Sequence, residues 1–504
     1  MYPKTLRRIM LLVVATAILA STMGMSSCFG GSKDGSLLGR PLRVGIVSWP
    51  GYMGGIMANN GFKPNKDCIY WNKHKQTVEF LLLEDPAQRA QAFAKGGEDG
   101  VDIVWSTVDY WANELPGLSS NGVKARAIMQ VDWSRGGDAI VADESIKKIE
   151  DLKGKQISLV KFTPSHWLLE YNLKNSSLSD AEQKQIEDNL VGKDTTLDAR
   201  QAFISKQVAA TVVWEPDVTL AMERPGAHKL VTTETANNLI ADIMVAREDF
   251  IKDHPDVISA FIGGWMDGTA EANRNRDKAA QLLMENESLY GDMKDKKKVM
   301  DTLGTVKWAD MTDNTKMFGL DGGEVLFDKL FNEAGTVWVK RGYITSVTPV
   351  DSAKDVSFLK ELYAKSPVQR EKEGTLPTVT ASTTTKEGMV TKPVQILFPS
   401  GSSVLTDDAK KVIDNDVALL AETNSNAYIR VEGNTDSAGS ATGNETLSKA
   451  RAQAVIDYLV ERYKFNKNRF IAVGNGSRNP VADNATEEGK QKNRRTDVKV
   501  IPVS

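Results

Sequence analysis

The stretch GNTDSAGSATGNETLSKARAQAV, residues 433–455, decides the fold of the C-terminal part of this 504-residue chain. Asp436 lies in a loop rich in glycine and serine, and Arg451 follows fifteen residues later in the first turns of an amphipathic helix. Both charges can therefore converge on one small site. A carboxylate beside a guanidinium fork suits a zwitterionic ligand, because the first accepts hydrogen bonds and the second donates them.

A wider pattern surrounds these two charges. TDxxG, NxxLSxxRA and NRR are met in order by Thr435, Asp436, Gly439, Asn444, Leu447, Ser448, Arg451, Ala452, Asn493, Arg494 and Arg495. The pattern resembles the OmpA-like peptidoglycan-binding domain, and the resemblance covers residues 393–504 without a large gap. It implies that Thr435, Asp436, Asn444 and Arg451 bind the stem peptide of the cell wall.

Diaminopimelate, the expected partner in that stem peptide, fits the two charges. It carries an ammonium and a carboxylate on one carbon. Asp436 would accept hydrogen bonds from the ammonium, and Arg451 would donate hydrogen bonds to the carboxylate. Charge-assisted hydrogen bonds contribute roughly 1.5 to 3 kcal/mol each. Thr435 and Asn444 would orient the acid and contact the ligand. The alternative is a structural pair, in which Asp436 caps the helix or bridges to Arg451 and binds nothing.

The N-terminus has the pattern of an export signal. An apolar run from Ile9 to Leu19, too short to cross a bilayer, follows the basic residues Lys4, Arg7 and Arg8. Met25, Ser26, Ser27 and Cys28 then resemble a lipobox. Residues 1–28 are thus predicted to be a lipoprotein signal peptide ending at a lipidated Cys28, and Phe29 after it resembles the outer-membrane sorting pattern. The alternative is an ordinary signal peptide with an incidental cysteine.

Composition and cysteine count bound the class of protein. A lipidated Cys28 would leave Cys68 without an intramolecular partner, so no disulfide framework is expected. The chain is 41% hydrophobic, enough to bury more than one core. Its formal charge of -3, with acids and bases interspersed, gives no basic patch and predicts no nucleic-acid partner.

Residues 366–392 are poor in large apolar side chains and are predicted to be a flexible linker. Such a coil spans roughly 30 Å on average, so the flanking domains should move independently. The C-terminal domain, residues 393–504, is predicted as strand, helix, strand, helix, strand, strand. Its strands are Gln395 to Phe398, Tyr428 to Val431, Phe470 to Val473 and Thr496 to Ile501.

The large segment, residues 41–365, alternates β-rich and helical runs, which predicts α/β folding with parallel sheets and right-handed crossovers. From about His254 onward it turns predominantly helical. The predicted strands are Leu42 to Val47, Val78 to Leu82, Asp102 to Trp105, Ala139 to Ala142, Ile157 to Lys161 and Thr211 to Trp214, with helices such as Ala87 to Lys95 and Trp167 to Asn175 between them.

Polar and aromatic residues collect where several of these strands end. Ligands bind at such carboxyl ends in open α/β sheets, so these residues predict a small-molecule cleft. The candidate ligand-binding residues are Trp49, Tyr52, Ser106, Thr107, Trp133, Thr163, Ser165, His166, Trp214 and Glu215.

Two kinds of ligand suit this cleft. Thr163 before Pro164 looks like a helix N-cap, which leaves backbone donors free for an anion near Ser165 and His166. Trp49, Trp105, Trp133 and Trp214 could instead wall an apolar or quaternary-ammonium ligand. The alternative is that the tryptophans belong to the hydrophobic core and that Thr163 only caps its helix.

The order DPAQRAQAFAKGGEDGVDIVWS, IKKIEDLKGKQISLV, ARQAFISKQVAATVVWEPDV and REDFIKDHPDVISAFIGGW is similar to periplasmic substrate-binding proteins of the taurine, nitrate and sulfonate type, over residues 41–290. The resemblance implies two α/β lobes that close on a ligand and serve an ABC permease. It also implies that the loop Trp133 to Asp138 sets specificity.

Catalysis is not expected, and neither is a cofactor. Thiamine-pathway enzymes of the same fold carry a CCCFC motif, which this chain lacks, and no GxSxG or HExxH motif or metal-ligand cluster is present. We therefore expect a lipid-anchored periplasmic receptor, more readily at the outer membrane, that captures a small molecule and binds peptidoglycan. The alternative is a structural or sensory lipoprotein that links membrane and wall without transport.

Overall fold

A computed structural model describes residues 35–287, 290–291, 293–370 and 374–503. The predicted signal peptide and Cys28 lie outside these residues. The fifteen strands, in chain order, are β1 (Leu42–Ile46), β2 (Val78–Leu82), β3 (Ile103–Thr107), β4 (Ala125–Ser134), β5 (Asp138–Asp143), β6 (Ile157–Val160), β7 (Leu190–Lys193), β8 (Ala210–Trp214), β9 (Ala227–Thr232), β10 (Ala241–Arg247), β11 (Val306–Trp308), β12 (Val390–Val394), β13 (Ala427–Asn434), β14 (Phe470–Gly476) and β15 (Thr496–Pro502).

Helices fill the connections between the strands. In the large segment they are Met53–Asn59, Ile69–His74, Pro86–Lys95, Val108–Ser120, Pro164–Lys174, Asp180–Asp188, Thr196–Ile204, Asp217–Ala221, Glu248–Asp253, Pro255–Arg274, Arg276–Asn286, Lys296–Leu303, Met311–Phe318, Leu326–Lys340 and Ser357–Lys365. Those that follow are Ala381–Thr385, Asp407–Ile413, a π-helical turn Asp414–Ala418, Leu419–Thr423, Ala441–Tyr463 and Glu487–Asn493. No described helix is long and apolar enough to cross a membrane.

The large segment contains two sheets, one per lobe. The first has the order β11-β4-β10-β3-β1-β2, and the second has the order β7-β6-β8-β5-β9. The chain passes between the lobes twice, from β4 to β5 and from β9 to β10. The two-lobed α/β prediction is confirmed, but the sheets are mixed rather than parallel, because β4 and β10 run antiparallel to each other and β5 is antiparallel to β8 and β9.

Local sequence explains where helices begin and end. Asp85 accepts hydrogen bonds from the amides of Ala87 and Gln88, and Pro86 occupies the first helical position. Gly96 then ends that helix at a φ of 62°. A glycine reaches this conformation without the steric cost that other residues meet.

The C-terminal domain is a four-stranded sheet of order β12-β15-β13-β14 covered by helices. Its predicted helix-on-sheet architecture is present, with an additional helix Glu487–Asn493 before the last strand. The predicted first strand, Gln395 to Phe398, is wrong. The strand is Val390–Val394, which begins inside the predicted linker and tolerates Pro393 because it pairs on one side only, with β15.

The C-terminal domain packs against the large segment, contrary to the prediction of independent motion. The Tyr171 hydroxyl lies 2.6 Å from the Thr423 hydroxyl, and both side chains are buried. Lys316 pairs with Glu422 at 2.6 Å. Asn237 accepts hydrogen bonds from the hydroxyl of Ser425 and the amide of Asn426. The segment 422–426 therefore touches lobe 1, lobe 2 and the β9–β10 crossover.

Candidate functional site

A small pocket lies where the two lobes meet, beside the β9–β10 crossover. Its lining comes from strand ends and helix starts of both sheets: Val47, Trp49, Tyr52, Trp105, Asp138, Pro164, Trp214, Ile240 and Asp242. The cavity is about 10 Å³, enough for about one water molecule. The lobes must therefore part to admit any larger solute.

Four of the nine residues that line the pocket are aromatic. The ring centroids of Tyr52 and Trp105 lie 6.4 Å apart, and those of Trp105 and Trp214 lie 6.3 Å apart at 68°. The Trp105–Trp214 pair is edge-to-face, a favourable arrangement for aromatic rings, and the Tyr52–Trp105 pair is tilted at 47°. The prediction of aromatic residues at strand ends thus identified Trp49, Tyr52 and Trp214, which line the pocket together.

Two glycines make room for Trp49. A Cβ atom on Gly137 would lie 2.4 Å from the Trp49 ring, and a Cβ atom on Gly51 would lie 1.8 Å from an oxygen of Asp132. Real Cβ atoms do not come so close to these atoms. Only glycine at both positions permits the Trp49 indole to donate to Asp132 at 3.0 Å.

Three buried aspartates surround the rings. Tyr52 donates to Asp242 at 2.6 Å. Burial raises the pKa of Asp138 to about 7, with a hydrogen bond from Ser134 opposing the shift and Glu215 adding to it. Burial also raises the pKa values of Asp132 and Asp242 well above their ordinary range. Each ionised carboxylate is therefore costly to the folded protein unless a positive charge joins it.

Several predicted ligand residues serve the fold instead of lining the pocket. Trp133 is buried in β4, between β10 and β11. Thr107 accepts a hydrogen bond from the Tyr110 amide and so caps the helix Val108–Ser120. Ser106 is buried, with its hydroxyl 3.4 Å from the Thr107 carbonyl. Glu215 accepts from the amide and hydroxyl of Thr219, so its carboxylate is occupied at the start of the next helix.

The predicted anion site at the start of Pro164–Lys174 has a different geometry. Thr163 holds the N-cap position, but its hydroxyl donates to the Val160 carbonyl and accepts nothing from the helix. His166 accepts a hydrogen bond from the Phe162 amide and lies 3.4 Å from Glu170. The His166 ring is buried beside Trp338. Ser165 is buried with no hydrogen bond to its hydroxyl among the described residues.

Asp132 and Asp242 were not predicted as site residues, although Asp138 lies in the predicted specificity loop. Asp132 lies in β4 and Asp242 lies in β10, two strands that were not predicted from the sequence. These strands carry polar residues inside otherwise apolar runs, so they show no clean alternation. One feature of the sequence could have indicated these site residues: an aspartate inside an apolar segment, where burying a carboxylate is costly.

The C-terminal site brings the predicted charges together with a third. Asp436 accepts from the Ala438 amide at 2.9 Å and pairs with Arg494 at 2.7 Å. Burial alone would raise the pKa of Asp436, but Arg494 and that amide outweigh it and hold the pKa below its ordinary value. Arg451 donates to the Ser402 carbonyl and stacks over Phe398 at 5.0 Å. Arg494, not Arg451, is therefore the direct partner of Asp436.

Thr435 and Asn444 shape the loop that carries Asp436. Asn444 donates to the Ala438 carbonyl at 2.8 Å, and Thr435 donates to the Asp436 carbonyl at 2.9 Å. Gly439 takes a φ of 93° in the same loop, which an L side chain would strain. The motif thus fixes the position of the acid, and Asp436 stays partly accessible at 13% of its side chain.

Comparisons with known proteins match the two parts of the chain separately. Residues 125–279 match the NMT1/THI5-like family, and residues 397–494 match the OmpA family. Outer membrane porin F of Pseudomonas aeruginosa is 51% identical over 70 residues, which is 14% of this chain and 20% of the porin. A Brucella abortus protein named as a binding protein is 25% identical over 231 residues, which is 44% of this chain and 64% of that protein.

A solved structure supports the architecture of the large segment. The periplasmic nitrate-binding protein NrtA from Synechocystis PCC 6803 has a TM-score of 0.51 at 12% identity, over 65% of this chain and 89% of that one. The likeness shows the fold alone. The chain spans only a fifth of the porin and less than two thirds of the Brucella protein.

Proposed function

We propose that this chain, which joins an NMT1/THI5-like domain of the periplasmic-binding-protein fold to a C-terminal OmpA domain, is a solute receptor of the cell envelope that is held to peptidoglycan. Its large segment captures a small molecule for an ABC permease. Its C-terminal domain binds the stem peptide of the wall. A lipid on Cys28 anchors it to a membrane in the periplasm, by preference the outer membrane.

One observation supports solute capture above others. The pocket at the lobe junction is lined by residues of both sheets and of the β9–β10 crossover, so a bound molecule would touch both lobes at once. Contacts to both lobes favour the closed arrangement over the open one, and closure is what a permease can recognise. A pocket within one lobe would not couple binding to closure.

Wall binding is supported by the charges at the C-terminal site. Asp436, Arg494 and Arg451 present one acceptor and two guanidinium forks to a partly accessible loop. A zwitterionic carbon needs both kinds of group. Removing one partner of such a charge pair costs about 2 to 5 kcal/mol, which is enough to abolish weak binding.

A pull-down with isolated sacculi tests this half of the proposal. Asp436→Ala and Arg451→Ala should each leave the protein in the supernatant, whereas the matched surface variant Lys492→Ala should sediment like the wild type. Lys492 is exposed and pairs only with Glu488 among the described contacts, in the helix that precedes Arg494. Full retention of both site variants would refute the assignment.

Native mass spectrometry of gently purified protein tests the other half. A retained small molecule supports a receptor, and its mass identifies the solute. If no solute is retained and a broad thermal-shift panel gives no stabilisation, the chain is a structural or sensory link between membrane and wall. Radiolabelled palmitate incorporation that is lost in Cys28→Ser tests the anchor.

A further inference from the structure

The charge of the solute can be inferred from the pocket lining. Of the nine described residues that line the pocket, two are carboxylates, four are aromatic and none is basic. Asp138 is 2% exposed, lines the cavity and has an oxygen, Oδ1, without a hydrogen-bond partner among the described residues. The second acid, Asp242, is 4% exposed and faces the same space. A buried acceptor with no partner is unusual and points to a missing donor.

The charges around these acids are mostly negative. Asp132, just behind the lining, also has an oxygen without a hydrogen-bond partner among the described residues, and the carboxylate acting on it is Asp138. The carboxylate acting on Asp138 is Glu215. The guanidinium of Arg89 lies over the Trp105 ring, but it is bound to Glu114 and to the Trp105 carbonyl. It is therefore already neutralised by a partner of its own.

The aromatic walls favour the same kind of ligand. Trp49, Tyr52, Trp105 and Trp214 present rings to the cavity, and a ring face attracts a cation through its quadrupole. These rings and acids are buried, so both act more strongly on a ligand than they would at a surface. Rings and carboxylates acting together select for positive charge.

We propose that the solute is a small organic cation, an amine or quaternary ammonium compound, held between Asp138, Asp242 and the four rings. This inference rests on the proposed receptor function and specifies its ligand class. An anion such as nitrate, which the name of the structural neighbour indicates for that protein, would face two carboxylates here without a basic lining residue. The likeness of fold therefore does not extend to ligand charge.

Isothermal titration calorimetry on the full chain tests the proposal. Choline and putrescine serve as quaternary and primary cations, with nitrate, ethanesulfonate and glucose as anionic and neutral comparisons. We expect at least one cation to bind, and Asp138→Asn to weaken it at least tenfold. The matched control is Asp313→Asn, a buried acid paired with Lys307, and neither residue is among those that line the pocket. This variant should bind within twofold of the wild type.

The outcomes separate this inference from the receptor function. Binding of an anion or glucose without any cation would overturn the cation proposal and leave the receptor intact. Absence of binding across the whole panel would overturn both. Full cation affinity in Asp138→Asn and Asp242→Asn, each checked for folding by circular dichroism, would also overturn the assignment. The second variant keeps the test decisive if the first fails to fold.

Discussion

Replacing Asp138 by asparagine should change how the stability of the large segment depends on pH. In the unfolded chain this carboxyl has a pKa near 3.8, and burial raises it to about 7 in the folded protein. The folded state thus binds the proton more tightly than the unfolded state. The stability that this proton contributes is present at low pH and is lost as the pH rises from about 4 through 7.

The size of the effect follows from the shift. One pKa unit corresponds to about 1.4 kcal/mol, so the full shift of about three units is worth at most about 4 kcal/mol. Between pH 5 and pH 8 the linkage relation gives a loss of about 3 kcal/mol from this group. The amide of Asp138→Asn does not titrate. The free energy of unfolding of this variant should therefore fall by about 3 kcal/mol less than that of the wild type over that range.

Urea unfolding followed by tryptophan fluorescence measures this difference. All ten tryptophans lie between positions 49 and 338, so the signal reports the large segment and not the C-terminal domain. Wild type and Asp138→Asn would be compared at pH 5, 6.5 and 8 without ligand. Parallel pH dependences would refute the reasoning, since they would mean that Asp138 is not perturbed by its surroundings.

The remaining predictions concern ligand, wall and packing. Cation affinity measured by calorimetry should fall about fiftyfold from pH 7 to pH 5, because the proton on Asp138, whose pKa is about 7, competes with the ligand; constant affinity would contradict this. Retention on sacculi should stay unchanged over the same range, because the pKa of Asp436 is lowered and the carboxylate stays ionised until the pH falls below 3.8, the ordinary pKa of an aspartate. Release at pH 5 would contradict the role of Asp436 in wall binding. Gly137→Ala should cost about 1 to 3 kcal/mol in urea unfolding through its contact with Trp49, whereas Gly117→Ala, which meets no atom within 4 Å, should not destabilise. Tyr171→Phe should weaken docking of the C-terminal domain by about 1 kcal/mol and speed proteolysis within residues 366–392; an unchanged rate would argue against the contact.

Sequence patterns located the fold better than the pocket. The predicted strands from Leu42 to Trp214 agree with β1, β2, β3, β5, β6 and β8 to within about two residues, because short β-rich runs bounded by turn residues are recognisable in isolation. The strands β4 and β10 were missed. Both are interior strands of the larger sheet with polar residues at buried positions, Gln130 and Asp132 in β4 and Asp242 in β10. Such interruptions break the local pattern, so β10, which carries the proposed ligand contact Asp242, was missed, whereas β5, which begins at Asp138, was predicted.

The C-terminal site shows a similar division. The motif predicted that Asp436 and Arg451 act together, but not the ion pair of Asp436 with Arg494, which depends on where the helix Glu487–Asn493 ends in space. The run Gln395 to Phe398 reads as a strand, yet Phe398 lies under the Arg451 guanidinium instead. Tertiary contacts of this kind leave no periodic signal in the sequence.

The position of the C-terminal domain connects the two proposed functions. The helix Pro164–Lys174 lines the pocket through Pro164 and reaches Thr423 of the C-terminal domain through Tyr171, about two turns later. Lys316 of lobe 1 binds Glu422 of the same segment. Because that segment touches both lobes, separating them to admit a solute must stretch or break some of these contacts. A C-terminal domain held by the wall would therefore shift the equilibrium between the open and closed arrangements of the cleft. The size of this shift is limited to the difference in contact energy between the two arrangements.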